Sequence, residues 1–440
     1  MTTRLVARRH DWVDPAVVFE AILSGEEHAF WLDAGPGATT GFSWLGTGAP
    51  GVGPRDVALV PDVRPAAVVP GPFHGGWVGW SGFDDAAAAA GAPGRADPAD
   101  GPQELWLRIE WFVVFDHAAH EVWIAAPADR GEALASAVDG AATAAPRTAT
   151  PRRSAAHHPP PVASARQTPE EYRTLIARCR DAIRAGDAYQ LCLTTRFAVA
   201  ASAPFDPTST YLTLREALPA HHGGIIRSGT TALLSASPER FLDVADGLVR
   251  TRPIKGTRPR GRDADEDAAL RRELVDSVKE RAENVMIVDL MRNDLQRVCQ
   301  PGTVRAERLL EVESYAAVHQ LVSTVAGRLR PDATLGQLLD AAFPAGSMTG
   351  APKLSAMTVL SGLEGRGRGI YAGCFGWVGT DGHADLAMTI RSIVLRPDRA
   401  YVGAGGGITW LSDPDEEVAE VGLKARGPLA ALGADLPPGW

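Results

Sequence analysis

The first third of the chain has the hydrophobic pattern of a sheet. Residues 105–115 and 121–124 are rich in aromatic and β-branched side chains. The polar stretch 116–120 between them predicts a hairpin turn. We therefore expect residues 1–130 to form an N-terminal domain that is mainly sheet, with helix at its periphery.

The central part of the chain carries helical signals. Thr168, Pro169 and Glu171 have the spacing of a capping box, and we expect the helix that they open to end near Gly186. Farther along, apolar residues recur at every fourth position, which predicts one amphipathic helix over residues 265–281.

Three apolar runs near the C-terminus predict antiparallel strands. Residues 371–378 and 384–395 flank the turn signal Asp381-Gly382, and residues 401–409 follow after another short connection. Connections this short join antiparallel neighbours, because a parallel pair needs a long crossover. The pattern predicts an α+β fold in which helices pack outside antiparallel sheets.

Residues 131–167 differ in composition from the segments on either side. They are dominated by Ala, Pro, Ser, Thr and Arg. Such a segment cannot bury enough apolar surface to fold by itself, so we expect a flexible linker or a surface excursion here. It would separate residues 1–130 from a second domain over residues 168–430.

The composition excludes several classes of protein. With 45% apolar and 22% charged residues over 440 positions, the chain can bury a substantial core. A net charge of −9, with both signs interspersed, argues against nucleic acid and anionic membrane surfaces as partners. The N-terminus lacks the apolar run of a secretory signal, and no apolar stretch reaches about 18 residues. We expect a cytoplasmic protein with a small-molecule partner and no membrane contact.

Two pairs of acids at helical spacing are the first candidates for chemistry. Glu280 and Glu283 lie three residues apart, and Glu417, Glu420 and Lys424 follow at spacings of three and four. Two carboxylate pairs on separate helices could together hold Mg²⁺, which prefers oxygen ligands. The alternative is a pair of solvated polar helix faces, with Glu420 and Lys424 forming a surface ion pair.

Three further patterns leave alternatives open. The glycine-rich residues 403–407 precede a helix that Ser412 is expected to cap, and their backbone N–H groups could approach an anion. Arg391, in a predicted strand, is either exposed or a fork for a carboxylate in a polar cleft. Cys374 lies in an incomplete G-x-C-x-G pattern, and all four cysteines are expected to be free buried thiols.

An ordered set of segments is more specific than any of these patterns. They are residues 237–241 (SPERF), 253–258 (PIKGTR), 282–290 (AENVMIVDL), 346–353 (GSMTGAPK), 388–391 (MTIR) and 417–424 (EVAEVGLK). Together they resemble the chorismate-utilising enzymes of the anthranilate synthase component I-like family. The resemblance covers residues 168–426 and implies a sandwich-like core of large antiparallel sheets with a chorismate-binding catalytic domain over 168–430. The first third resembles the N-terminal domain of that family at residues 72–80.

The resemblance implies a set of functional residues. Glu283 and Glu420 would bind Mg²⁺, with Glu280 and Glu417 supporting them through water, and the metal would bridge to a carboxylate of chorismate. Glu239 matches the general acid that protonates the departing C4 hydroxyl, for which its pKa would need raising. Substrate contacts are implied for Gly256, Thr257, His319, Tyr371, Arg391, Gly405, Gly406, Gly407 and Lys424.

Two positions distinguish the reactions within this family. Members that add water carry a lysine base where this chain has Gln190, which cannot deprotonate water. Members that make anthranilate carry alanine where this chain has Lys255. In members that aminate at C4, the lysine amine is thought to attack C2 as the C4 hydroxide leaves, and ammonia then adds at C4 and expels it. Because the amine must be neutral, we expect Mg²⁺, Arg252 or Arg258 to lower the pKa of Lys255.

The resemblance therefore implies Mg²⁺-dependent amination of chorismate at C4, giving 4-amino-4-deoxychorismate for p-aminobenzoate and folate synthesis. No amidotransferase region is recognised, so ammonia is expected from a separate glutamine amidotransferase subunit or as free ammonium. One alternative is a relative that aminates at C2, giving anthranilate or 2-amino-2-deoxyisochorismate. The other is a non-catalytic chorismate-binding subunit.

Overall fold

The computed structural model describes residues 5–62, 69–143, 161–201, 203–315 and 318–440. Its strands are β1 Leu5–His10, β2 His28–Asp33, β3 Phe42–Pro50, β4 Gly76–Ser81, β5 Glu104–Asp116, β6 Glu121–Pro127, β7 Ser164–Ala165, β8 Gln190–Ala200, β9 His222–Ser228, β10 Thr231–Ser237, β11 Arg240–Ala245, β12 Leu248–Thr251, β13 Ile254–Pro259, β14 Arg305–Ser314, β15 Val318–Arg328, β16 Gly350–Ala351, β17 Cys374–Gly379, β18 Ala384–Met388, β19 Ser392–Leu395 and β20 Arg399–Ile408. Its helices are α1 Pro15–Val18, continued by a π-helical turn over Phe19–Leu23, α2 Phe83–Ala89, α3 Gly131–Thr143, α4 Pro169–Ala185, α5 Pro207–Ala217, α6 Ala264–Asp276, α7 Val278–Gln296, α8 Leu335–Ala342, α9 Gly346–Thr349, α10 Lys353–Glu364 and α11 Pro414–Ala431.

The strands form two antiparallel layers that share β5. In the first layer the order is β7-β8-β20-β19-β10-β9-β2-β3-β5-β6-β1, with β16 also paired to β8. In the second layer the order is β5-β4-β17-β18-β11-β12-β15, and both β13 and β14 pair with β15. The hairpin predicted at residues 116–120 is confirmed, because β5 and β6 pair across it.

Side chains that alternate along each strand form separate cores on the two faces of each layer. On β10, Leu233 packs between the layers, whereas Ala232 and Leu234 pack outward under helices. On β17, Trp377 packs between the layers and Val378 packs outward. Helices α1, α3, α4, α5, α10 and α11 cover the first layer, and α2, α7, α8 and α9 cover the second. The predicted α+β sandwich with helices outside is confirmed.

The segment predicted to be a linker begins with a helix. Residues 131–143 form α3, whose Leu134 and Val138 are buried against the first layer. Residues 164–165 form β7, and residues 144–160 lie outside the described residues. Composition misses α3 because alanine-rich sequence is a good helix former once a few apolar side chains find a sheet to pack on. The division into domains stays a prediction, and strands of the first third contribute to both layers.

Of the helix boundaries predicted from local sequence, some are confirmed and others are wrong. Thr168 and Glu171 form the expected capping box, and Gly186 ends α4 in the left-handed conformation. The single helix over 265–281 is wrong, because Ser277 adopts an extended conformation and caps a new helix. The Ser412 cap is also wrong, since Asp413 caps α11. None of the described helices is long and apolar enough to cross a membrane.

Two chain segments cross between the layers side by side, and they position the site. The strand predicted over 384–395 is broken, because β18 belongs to the second layer and β19 to the first. Arg391 turns the chain at this point with a φ of 51°. Glu239 lies on the second crossover, between β10 and β11. The amide of Met388 donates to the carbonyl of Glu239 at 3.0 Å, and that of Ala236 to the carbonyl of Arg391 at 3.3 Å.

Candidate active site

The crossovers place Glu239 in a polar cluster. Glu239 is 8% exposed, and its carboxyl accepts a hydrogen bond from the Ser347 hydroxyl at 2.9 Å. Burial raises the pKa of Glu239 to about 7, although Ser347, Lys255 and Lys424 act in the opposite direction. A carboxyl with this pKa holds a proton near neutral pH, as a general acid must.

Lys255 and Gln190 meet beside the last glycine of β20. A Cβ atom at Gly407 would lie 2.1 Å from Gln190 Nε2 and 3.4 Å from Lys255 Nζ. A side chain at position 407 would therefore displace Gln190. Gln190 is 1% exposed, and its Oε1 has no hydrogen-bond partner among the described residues. A buried amide oxygen in this state is available to a ligand.

The pKa of Lys255 is raised above its ordinary value. Burial opposes a charge on the ammonium group, but Glu283, Cys192, Glu239 and Glu420 together outweigh burial. In the structure as described, the lysine is therefore a cation held among acids.

The arginines expected to lower the pKa of Lys255 are engaged elsewhere. Arg252 donates to Glu313, and Arg258 donates to Glu273 at 2.8 Å. The expectation that either arginine would depress this pKa is wrong, because each is neutralised by its own carboxylate and the groups that dominate around the lysine are acidic.

Glu283 on α7 and Glu420 on α11 approach Lys255 from separate helices. Glu283 Oε1 is buried without a hydrogen-bond partner among the described residues, and burial raises the pKa of this carboxyl. Glu420 pairs with Lys424 at 2.7 Å. The described ranges contain no group of three or more His, Cys, Asp or Glu side chains that could hold a metal. Mg²⁺ needs only one or two carboxylates when water and substrate supply the other oxygens, so the unpartnered Glu283 oxygen fits this ion.

The two carboxylates expected to act through water have protein partners. Glu417 is 3% exposed, accepts a hydrogen bond from Ser412 at 2.7 Å and lies 3.5 Å from Lys279 Nζ. Glu280 lies 3.8 Å from Arg258.

Lys279 is a member of this site that sequence reasoning missed. Besides its ion pair with Glu417, it is close enough to Glu283, Glu420 and Glu280 for these acids to raise its pKa against the effect of burial. Its position four residues before Glu283 on α7 was the available signal, because this spacing places both side chains on one helix face.

The glycines of β20 let α11 approach the strand closely. Lys424 Nζ donates to the carbonyl of Gly405 at 2.8 Å. A Cβ atom at Gly406 would lie 2.6 Å from Glu417 Oε2, and a Cβ atom at Gly407 would meet Gln190. The structure therefore places Gly405 against Lys424, Gly406 against Glu417, and Gly407 against Gln190 and Lys255.

Tyr371 packs on β20, and Arg391 lies close enough to Tyr371 and Glu420 for both to act on its pKa. A Cβ atom at Gly403 would lie 2.1 Å from Tyr371 Cγ, so the ring packs directly on the strand. Tyr371 precedes β17 instead of belonging to it, because Ala372 turns the chain with a φ of 64°. Burial lowers the pKa of Arg391, and Tyr371 and Glu420 act in the opposite direction. In the described part of the chain Arg391 makes no ion pair, which leaves its guanidinium available to a carboxylate.

We refer to the following residues as the Lys255 cluster: Gln190, Glu239, Lys255, Glu283 and Arg391.

Three predicted substrate contacts lie along β13 and β15. Gly256 has a φ of 83°, a conformation that favours glycine, and Thr257 is exposed next to it. His319 is 1% exposed, and its ring nitrogens lie 2.8 Å from the Ser314 hydroxyl and 2.9 Å from Asp267. The hydrogen bonds of His319 in the described structure therefore run to Ser314 and Asp267, not to the Lys255 cluster.

The cysteines do not provide a nucleophile. All four are free and buried, as expected. Burial raises the pKa of Cys374 to about 12, so its thiol stays protonated.

A second buried group of charges, the Arg368 cluster, lies next to the Lys255 cluster and consists of Arg368, Glu364 and Thr194. Arg368 makes a bidentate ion pair with Glu364 at 2.8 and 2.9 Å, and Glu364 also accepts two hydrogen bonds from Thr194. The remaining donors of Arg368 reach the carbonyls of Met348 and Cys192 at 2.6 and 2.8 Å. Met348 follows Ser347, the partner of Glu239, so this arginine ties the supporting turn to β8.

Known proteins resemble this chain in sequence. The model of the chorismate binding enzyme family matches residues 55–430. An aminodeoxychorismate synthase of Streptomyces pristinaespiralis is 37% identical over 95% of this chain and 64% of that protein. The anthranilate synthase component 1 of Streptomyces coelicolor is 38% identical over 96% of this chain and 87% of that protein. The aminodeoxychorismate synthase component 1 of Klebsiella aerogenes is 38% identical over 79% and 75%, respectively.

The fold is similar to that of solved structures. The anthranilate synthase component I of Streptococcus pneumoniae superposes with a TM-score of 0.72 at 27% identity, over 97% of this chain and 92% of that chain. The chain spans less than two thirds of the length of two of its curated relatives, at 64% and 63%. With the family model matched over most of its length, the chain belongs to the chorismate binding enzyme family.

Proposed function

We propose that this chain is an aminodeoxychorismate synthase component I, which aminates chorismate at C4 to give 4-amino-4-deoxychorismate. The observation that carries the proposal is the juxtaposition of Lys255 with Glu239 and Gln190. An amine and a protonated carboxyl in one cluster supply a nucleophile and an acid. Gln190 supplies an amide where a water-activating member would need a base.

The reaction divides into two allylic displacements. The neutral amine of Lys255 forms a bond to C2, the two conjugated ring double bonds each shift by one position, and the C4–O bond breaks as Glu239 gives its proton to the leaving hydroxyl. Ammonia then bonds to C4, both double bonds return to their original positions, and the C2–N bond breaks so that Lys255 leaves as the neutral amine. Arg391 and the backbone around Gly405 would hold a substrate carboxylate during both steps.

Mg²⁺ is the proposed cofactor, held by Glu283 and Glu420 with Glu280 and Glu417 acting through water. When bound, the ion would supply positive charge that fixes a substrate carboxylate and offsets two of the acids that raise the pKa of Lys255. The burial of Lys255 would then favour the neutral amine that nucleophilic attack requires.

Ammonia would come from a separate glutamine amidotransferase subunit, or from ammonium in solution. The product would serve p-aminobenzoate and folate synthesis in the cytoplasm.

The test is a product assay with the purified chain, chorismate, Mg²⁺ and ammonium. Addition of an aminodeoxychorismate lyase should give p-aminobenzoate, identified by mass. Omission of Mg²⁺ should stop the reaction. Release of anthranilate without p-aminobenzoate would refute amination at C4.

Amination at C2 is the second candidate, because the Streptomyces coelicolor relative named anthranilate synthase component 1 is as similar as the relatives named aminodeoxychorismate synthase. The two functions differ in their need for a lysine nucleophile. Lys255→Ala should stop amination at C4, whereas an enzyme that aminates at C2 would keep its turnover.

A further inference from the structure

A cavity of about 290 Å³ lies at the edge of the first layer, away from the Lys255 cluster. Segments of β7, β8 and β20 form its floor. The loop between α2 and β5, which contains Asp97 and Asp100, closes one side. Its charged lining residues are four arginines and two aspartates: Arg166, Arg196, Arg366, Arg399, Asp97 and Asp100. None of the residues of the Lys255 cluster lines it.

One arginine of this cavity is already neutralised. Arg196 makes a bidentate ion pair with Asp100, with distances of 2.5 and 2.8 Å. Its guanidinium lies over the ring of Tyr401, 4.1 Å from the centroid. The ion pair forms part of the floor of the cavity, and the charges of Arg196 and Asp100 cancel.

Arg166 and Arg366 are not neutralised in the same way. Arg166 is partly buried, and its hydrogen bond in the described part of the chain goes to the carbonyl of Gly367 at 2.9 Å. Neither arginine has a carboxylate within ion-pair distance among the described residues. Burial lowers the pKa of Arg166 to about 10, with Arg196 and Arg366 adding to the effect and Glu364 and Asp100 opposing it. A partly buried cation that faces other cations is stabilised when a ligand supplies negative charge.

The other charged residues of the lining do not neutralise Arg166 and Arg366. Arg399 pairs with Asp398 at 3.5 Å, on the surface, where such a pair contributes little. Asp97 accepts a hydrogen bond from the amide of Ala99 at 2.9 Å and caps a short helical turn. The cavity therefore presents two guanidinium groups that have no carboxylate partner among the described residues, beside the neutral pair of Arg196 and Asp100.

We propose that this cavity binds a small dianion that carries a phosphate or two carboxylates. Planar guanidinium groups recognise both through paired N–H donors. The volume suits a small metabolite. The site would be independent of the catalytic reaction, and its ligand would contact Gly367, the residue before Arg368.

The experiment uses the purified chain in calorimetric titrations with sodium phosphate and, separately, with sodium succinate, at constant ionic strength set with chloride. Saturable binding of either probe supports the site, and the probe that binds separates phosphate from carboxylate ligands. Arg166→Gln with Arg366→Gln should weaken binding by at least about tenfold, since charge-assisted hydrogen bonds are worth this much or more. Arg366 is exposed, so Arg366→Gln alone should fold and should show part of the loss.

Two control proteins locate the binding. Arg262→Gln with Arg308→Gln removes the same charge from side chains that are 90% and 62% exposed, and affinity should not change. Arg391→Gln removes the free guanidinium of the Lys255 cluster, and affinity should again persist. Absence of saturable binding by both probes would overturn the proposal. An equal loss of affinity in the Arg262→Gln, Arg308→Gln control would also overturn it. A loss of affinity found only in Arg391→Gln would do the same.

Discussion

The Arg368 cluster and the Lys255 cluster are neighbours with opposite states of pairing. In the Arg368 cluster the guanidinium and the Glu364 carboxylate use their donors and acceptors on each other, on Thr194 and on backbone carbonyls. In the Lys255 cluster, Gln190 Oε1 and Glu283 Oε1 are buried without partners among the described residues. The first arrangement stabilises the fold, whereas the second leaves polar atoms for a ligand to satisfy. Substitutions in the Lys255 cluster should therefore affect turnover most, and substitutions in the Arg368 cluster should affect stability most.

The largest effect is expected from loss of the proposed nucleophile. Lys255→Ala should lower the rate of 4-amino-4-deoxychorismate formation by at least about 10⁴-fold, as loss of a covalent nucleophile does. The free energy of unfolding should fall only slightly, because Lys255 makes no ion pair within 4 Å among the described residues, although the acids around it favour its charged form. Steady-state kinetics and urea unfolding measure the two quantities. Lys255→Arg keeps the charge without the nucleophile and should be equally inactive; an active arginine variant would limit Lys255 to an electrostatic role.

Breaking the paired cluster should instead destabilise the fold. Arg368→Met leaves the Glu364 carboxylate buried without its counterion and should lower the free energy of unfolding by about 3–5 kcal/mol. Urea unfolding followed by circular dichroism measures the loss. The matched control is Arg262→Met, which breaks an exposed pair with Glu266 and should change stability by less than about 1 kcal/mol. Equal stability of the two variants would contradict the contrast between the clusters.

Glu239 should make stability fall as the pH rises. Its folded pKa of about 7 lies above its ordinary value of 4.5, so between these values the folded state binds more protons than the unfolded state. The free energy of unfolding should therefore decrease by up to about 3 kcal/mol from pH ~4.5 to pH ~7. Glu239→Gln should remove this dependence, and the exposed Glu170→Gln should retain it. Turnover should also fall above about pH 7, because the protonated form of Glu239 disappears there. If stability changed with pH in the same way in wild type and Glu239→Gln, the raised pKa could not belong to Glu239.

The smallest effect is expected at Glu283. Glu283→Gln removes the charge of a carboxyl whose pKa burial raises and whose Oε1 has no hydrogen-bond partner among the described residues, and it should raise the free energy of unfolding by about 1 kcal/mol while lowering turnover. Thermal and urea unfolding measure the gain in the absence of Mg²⁺. Glu216→Gln, on a surface side chain that is 65% exposed, should change neither quantity. A destabilised Glu283→Gln protein would mean that this carboxylate is part of the structural framework.

Local features of the fold were accessible from the sequence. The capping box of Thr168 and Glu171 and the hairpin before β6 depend on residues within a few positions of each other. The break at Ser277 was missed because the apolar spacing continues across it and only the cap geometry interrupts the helix. Local signals therefore locate elements better than they locate the ends of elements.

The membership of the site was also largely accessible, through the ordered family segments. Glu239, Lys255, Gln190, Glu283 and Glu420 do come together. Lys279 was missed, and the partners of Arg252 and Arg258 were not foreseen, because a sequence states which charges exist but not which of them face each other.

The amino-acid order alone specifies alternating faces, helix starts and the set of acids, amines and glycines that the chemistry requires. It does not specify to which layer each strand belongs, because the same two-residue period suits both layers. Only the tertiary structure makes residues 238–239 and 389–391 cross between layers side by side, which brings Glu239 and Arg391 to one place. Pairing and burial follow from that packing. They decide that Lys255 is a cation among acids, whereas Arg368 is fully paired with Glu364.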